Sequence, residues 1–182
     1  LFAFIAGDAW KVLQPHQSHD VGEVNGESLS AQDYQSLVEE YTEVVKFSRG
    51  TSALTDEENN QIKDEVWRNY VNNKLIENEA KKLGLTVSKA EIQAIIDAGV
   101  HPLLQQTPFR NPQTGAFDKD MLKKFLVEYS KMNPSQMPAQ YVEQYTMMYK
   151  FWSFVEKSLI QNRLAEKYQA LISKSLLSNP IE

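Results

Sequence analysis

The chain has 182 residues, 42% of them hydrophobic, a formal net charge of −5 and no cysteine. That apolar content supports a packed core and excludes a disordered chain, while the acidic balance excludes a duplex nucleic-acid binder, whose basic face must neutralise phosphates. Disulfide frameworks, zinc–thiolate sites, iron–sulfur clusters and cysteine nucleophiles are ruled out, and 7 glycines are few for the turns of an all-β protein of this size.

The chain starts at Leu1 and stops at Asn179-Pro180-Ile181-Glu182, and it reads as a fragment. Leu1-Phe2-Ala3-Phe4-Ile5-Ala6-Gly7 is strongly apolar but too short for a bilayer, which takes about 20 residues. It fits either the outer end of a membrane or signal segment or a buried helical turn. Pro15, His16, His19 and Asp20 mark a linker over residues 8–20. Val21 to Leu29, with Asn25-Gly26 at its centre, predicts a tight hairpin, because Asn-Gly supplies the positive φ angles of a type I′ turn.

From Ser30 onward the pattern is helical. Ser30 to Asp33 caps a helix carrying Tyr34, Leu37, Val38, Tyr41, Val44 and Val45, which Arg49-Gly50-Thr51-Ser52 breaks. Thr55-Asp56-Glu57-Glu58 is a capping box. The helix it opens has the stripe Ile62, Val66, Tyr70, with Trp67 and Val71 beside it, then Leu75, Ile76, Ala80 and Leu83, and Gly84 ends it. A second box, Ser88-Lys89-Ala90-Glu91, opens a short helix that buries Ile92, Ile95 and Ile96. Gly99 to Phe117, with Pro102, Pro108, Pro112 and Gly115, is expected to be irregular, and a loop of that length is functional or partly disordered. Asp118 caps a helix with Met121, Leu122, Phe125, Leu126 and Tyr129 inward. Ala139 to Leu177 has neither Gly nor Pro, and a continuous helix there would reach roughly 55 Å. Such a helix must pack on other chains, on itself after a kink, or on a ligand.

Catalytic chemistry finds little support. His16-Gln17-Ser18-His19-Asp20 has two histidines and a carboxylate, but no helical pattern to hold them as metal ligands, and it reads as a solvated linker. His101, before Pro102, reads as structural. The acid pairs at Asp56-Glu57-Glu58, Asp64-Glu65 and Glu77 with Glu79 sit in helix first turns or on polar faces. Gly22 to Gly26 lacks the Lys-Ser/Thr of a phosphate loop, and no G-x-S-x-G elbow occurs. The expectation is therefore no catalytic residue, no metal and no cofactor. What stands out is apolar and adaptable: Met132, Met137, Tyr145, Met147, Met148, Phe151 and Trp152 form the candidate client-binding set. From Tyr145 to Phe154 the apolar residues surround the helix, so that stretch is buried or binds something, and methionine suits promiscuous surfaces.

The order of motifs resembles the SurA/PpiD/PrsA group of parvulin-associated chaperones. Val24-Asn25-Gly26-Glu27-Ser28-Leu29-Ser30 with Asp33-Tyr34 is similar to the group's opening hairpin and first helix, and the run from Tyr70 through Ala80-Lys81-Lys82-Leu83-Gly84 to Ile92 is similar to its helix–Gly–capped-helix segment. Phe109-Arg110-Asn111 with Thr114-Gly115-Ala116-Phe117-Asp118 resembles the PpiD branch. The resemblance implies a mostly α fold, a SurA N-terminal-like helical chaperone domain with a small N-terminal β-hairpin and a long C-terminal helix. Residues 1–20 would be the outer end of an N-terminal membrane anchor and a linker, 21–178 the helical domain, and 179–182 the start of a linker to a missing parvulin domain. It further implies ATP-independent binding of unfolded or outer-membrane polypeptides, in the periplasm and tethered to the inner membrane, with a homodimer among the possible partners. No parvulin signature is present, so isomerase activity would belong to the parent protein. The alternative is a dimerisation or scaffold module that positions a parvulin domain.

Overall fold

A computed structural model of the chain describes residues 20–177. Two antiparallel strands, β1 (Asp20–Val24) and β2 (Glu27–Ser30), open it. Six helices follow among the described residues: α1 (Ala31–Arg49), α2 (Asp56–Lys82), α3 (Lys89–Ala98), the short α4 (Pro102–Gln105), α5 (Lys119–Lys131) and α6 (Ala139–Leu177). The fold class is thus mostly α, with the hairpin and the long last helix where they were expected.

Local chemistry sets these boundaries. Asn25 (φ 53°) and Gly26 (φ 83°) are both left-handed, as a type I′ turn demands. Ser30 Oγ accepts from the Asp33 N–H and starts α1. At α2 the Thr55 hydroxyl accepts from the Glu58 N–H while the Glu58 carboxylate accepts from the Thr55 N–H. Ser88 and Glu91 repeat that reciprocal pair at α3. Beyond α2, Gly84 is left-handed (φ 66°); its N–H donates to the Lys81 carbonyl and the Leu85 N–H to that of Ala80, which satisfies two of the last carbonyls of the helix.

Gly99 to Phe117 is irregular apart from one short helix and one bridge, as expected, and it also contributes to the core. His101 caps α4, its Nδ1 accepting from the Leu103 N–H at 3.2 Å. Leu104 (0% exposed) and Phe109 (3%) are core residues. Thr107 is buried too, its hydroxyl satisfied by the Leu104 carbonyl at 2.8 Å. A single bridge between Arg110 and Phe117 closes the loop.

The larger core gathers Val44 of α1, Ile92 and Ile96 of α3, Leu104, Phe109, Leu122 and Phe125 of α5, and Phe151, Trp152, Val155 and Leu159 of α6. A smaller one joins Val38 of α1 to Ile62 and Val66 of α2. The 39-residue α6 runs unbroken and packs against each of the other five helices. Ion pairs lie along its rim: Lys157 to Glu40 at 2.7 Å, Arg163 to Glu91 at 3.2 Å and Lys167 to Glu91 at 3.1 Å. Among the described residues no helix is long and apolar enough to cross a membrane; the expected anchor at residues 1–20 falls almost wholly outside them.

Candidate functional site

Between the two cores, α1, α2 and α6 leave an open cleft of about 700 Å³. Its walls follow from helical periodicity. On α1, Leu37, Tyr41, Val44 and Val45 recur at i, i+4, i+7 and i+8; on α6, Phe151, Phe154 and Val155 sit at i, i+3 and i+4. Val44, Phe151 and Val155 are buried and form the floor, whereas Leu37, Tyr41, Val45 and Phe154 are half-buried and present the accessible apolar surface. The Tyr41 and Phe154 rings meet across the cleft, centroids 5.5 Å apart. The Tyr41 hydroxyl donates to Glu65 Oε1 at 2.7 Å. Burial, then that carboxylate, push its pKa up to about 12, so the phenol stays neutral.

The charges around this cleft are already matched. Lys157 pairs with Glu40, Arg49 with Glu58 at 2.7 Å, and Lys74 with Glu27 at 2.8 Å and Glu77 at 3.8 Å. The Lys74 hydrogen bond lowers the Glu27 pKa, and Lys74 is correspondingly raised. The remaining polar lining is mostly side-chain amide: Asn69, Asn73, Gln106, Gln161 and Asn162. Nothing here resembles a nucleophile with its base. Among the described residues no cluster of His, Asp and Glu could hold a metal ion; His16 and His19 lie outside them.

The match to known families covers residues 1–126 and is to the SurA-like N-terminal domain. The chain belongs to that family. SurA-like domains are periplasmic chaperone modules, which makes this one a module of chaperone or scaffold type. No curated protein and no solved structure matches the chain. The matched span includes the α1 and α2 walls of the cleft; α6, its third wall, lies beyond it.

The SurA-like domain distributes the sequence-predicted client-binding residues over several places. Phe151 lies in the cleft floor at 5% exposure. Trp152 is 3% exposed and sits in the larger core with Phe109 edge-on at 6.2 Å, away from this cleft. Tyr145 and Met148, on the same stripe, pack half-buried against that core, with Tyr145 5.6 Å from Phe125 and its hydroxyl 3.3 Å from Glu128. Met132 and Met137 flank the turn between α5 and α6, and Met147 is half-buried on α6. The helix is apolar all round because the larger core covers one side of it and the cleft lies along another. Sequence reasoning assigned Leu37, Tyr41, Val45 and Tyr70 to core stripes and so missed them as cleft residues. No sequence signal separated them: Tyr34, Leu37, Val38, Tyr41, Val44 and Val45 span about 120° of α1, the width of an ordinary packed face.

Proposed function

We propose that this domain is an ATP-independent holding module that takes up unfolded or newly translocated polypeptide segments in the cleft between α1, α2 and α6. The observation that carries the proposal is the accessible apolar lining of Leu37, Tyr41, Val45 and Phe154 above a buried floor. Hydrophobic burial is non-directional, so one such cleft accommodates many sequences. Each apolar client side chain it buries contributes about 1.5–3 kcal/mol. Ordering the client opposes this, and the outcome is weak, reversible binding that requires no nucleotide. Met132, Met137 and Met147 supply adaptable secondary contacts around the N-terminal end of α6. In this proposal the parent is a PpiD-type periplasmic foldase, held at the inner membrane by the segment preceding the domain and carrying a parvulin prolyl-isomerase domain.

The test is light scattering of a denatured outer-membrane protein diluted into buffer with and without the domain. Suppressed aggregation, abolished by Leu37→Gln with Val45→Gln while the helical circular dichroism is retained, is the expected result. No suppression at several-fold excess of the unaltered domain overturns the proposal. One feature favours a scaffold instead: near the end of α6, Leu171 and Ile172 are 39% and 38% exposed. A mass that rises with concentration in sedimentation, without client binding, would select that alternative.

A further inference from the structure

Resting on the holding role just proposed, we infer that the cleft reads the main chain of its client, gripping an extended segment through side-chain amides while the accessible apolar lining of Leu37, Tyr41, Val45 and Phe154 receives its side chains. Asn69 and Asn73 of α2, Gln106 after α4, and Gln161 and Asn162 of α6 all line the cleft. Among the described residues none of the five side-chain amides bonds to another protein group, and those of Asn69, Gln106 and Asn162 are exposed at the cleft surface. Their neighbour Gln105 shows the contrast: its amide donates to the Gly99 carbonyl and accepts from the Phe117 N–H, which holds the loop together.

Three properties point to a peptide main chain as occupant. First, the lining cations Arg49, Lys74 and Lys157 are each paired with a carboxylate, so the cleft has little to offer a charged ligand. Second, a carboxamide offers N–H donors and a carbonyl acceptor together, the complement of one peptide group. A purely apolar occupant would instead strip water from these amides without replacing its hydrogen bonds. Third, the spacing fits. Asn69 and Asn73 are one helical step of i, i+4 apart, about 6 Å along the axis, and an extended strand repeats its main-chain groups on one edge every second residue, about 6.6–6.8 Å. Recognition of this kind is indifferent to client sequence, which suits a holding role.

The probe is a short unstructured peptide alternating phenylalanine with serine, together with its depsipeptide analogue, in which backbone esters replace alternate amides and remove N–H donors without altering side chains. Fluorescence anisotropy should show the ester analogue binding about tenfold more weakly than the amide peptide. In the variant Asn69→Ala with Asn73→Ala, the difference between the two peptides should shrink severalfold, and an undiminished difference would overturn the assignment to these amides. If the ester analogue binds the unaltered domain as tightly as the amide peptide, main-chain recognition is overturned while cleft binding stands. If neither peptide binds the unaltered domain, the holding role fails and this inference fails with it.

Discussion

Gly22 offers the most demanding test of how the hairpin meets the helices. A Cβ built there falls 2.3 Å from Cη2 and 2.9 Å from Cζ2 of Trp67 on α2. Non-bonded carbons rest about 3.5–4.0 Å apart, so Gly22→Ala must move the ring or the strand by more than about 1 Å. The ring cannot swing freely: Tyr70 stacks on it with centroids 6.1 Å apart and Tyr34 meets it edge-on at 6.3 Å. Overpacking of this kind costs about 1–3 kcal/mol. If the clash with Trp67 is the cause, the loss should shrink to within about 0.5 kcal/mol of zero when Gly22→Ala is made in a Trp67→Leu background. Urea unfolding followed by far-ultraviolet circular dichroism, on the four members of the cycle, measures this. Equal losses in both backgrounds would refute the reasoning and place the penalty in the strand itself.

Leu159, fully buried on α6, should cost about 2–5 kcal/mol when changed to Ala, read from the urea midpoint. Glu91 gives a pH dependence. The Ser88 N–H first, then Lys167 and Arg163, hold its carboxyl down at about 2 from an ordinary 4.5. The folded state therefore prefers the ionised form, and the stabilisation is complete above pH 4.5 and lost as pH falls toward 2. Urea midpoints across that interval should fall more steeply for the natural protein than for Glu91→Gln. Tyr41 has the opposite sign: its raised pKa contributes stability that is full below pH 10 and lost as pH rises through about 12. Tyrosinate absorbance should show a late-titrating phase that Tyr41→Phe removes.

Much of the fold was legible because its punctuation is local. Asn25-Gly26, the boxes at Thr55–Glu58 and Ser88–Glu91, and Gly84 each act on backbone groups within a few residues, and all lie where the sequence placed them. Gly99 to Phe117 was legible as irregular from its prolines and polar residues, but not as a contributor to the core. Its burial rests on two satisfied polar groups, the His101 cap and the Thr107 hydroxyl, that composition does not reveal. The cleft was the least legible feature. Tyr41 and Phe154 are far apart in the chain, and nothing local says that their helices stop short of closing over Val45. For the same reason Trp152 could be recognised as apolar and important, but not as covered.

The position of α6 at the end of the order has a consequence for the birth of the protein. Leu104, Leu122 and Phe125 belong to a core that Phe151, Trp152, Val155 and Leu159 complete. A chain emerging N-terminus first, from a ribosome or through a translocation pore, carries those earlier side chains uncovered until α6 arrives. During that interval the newborn module has the same need for shelter as the polypeptides it is proposed to hold.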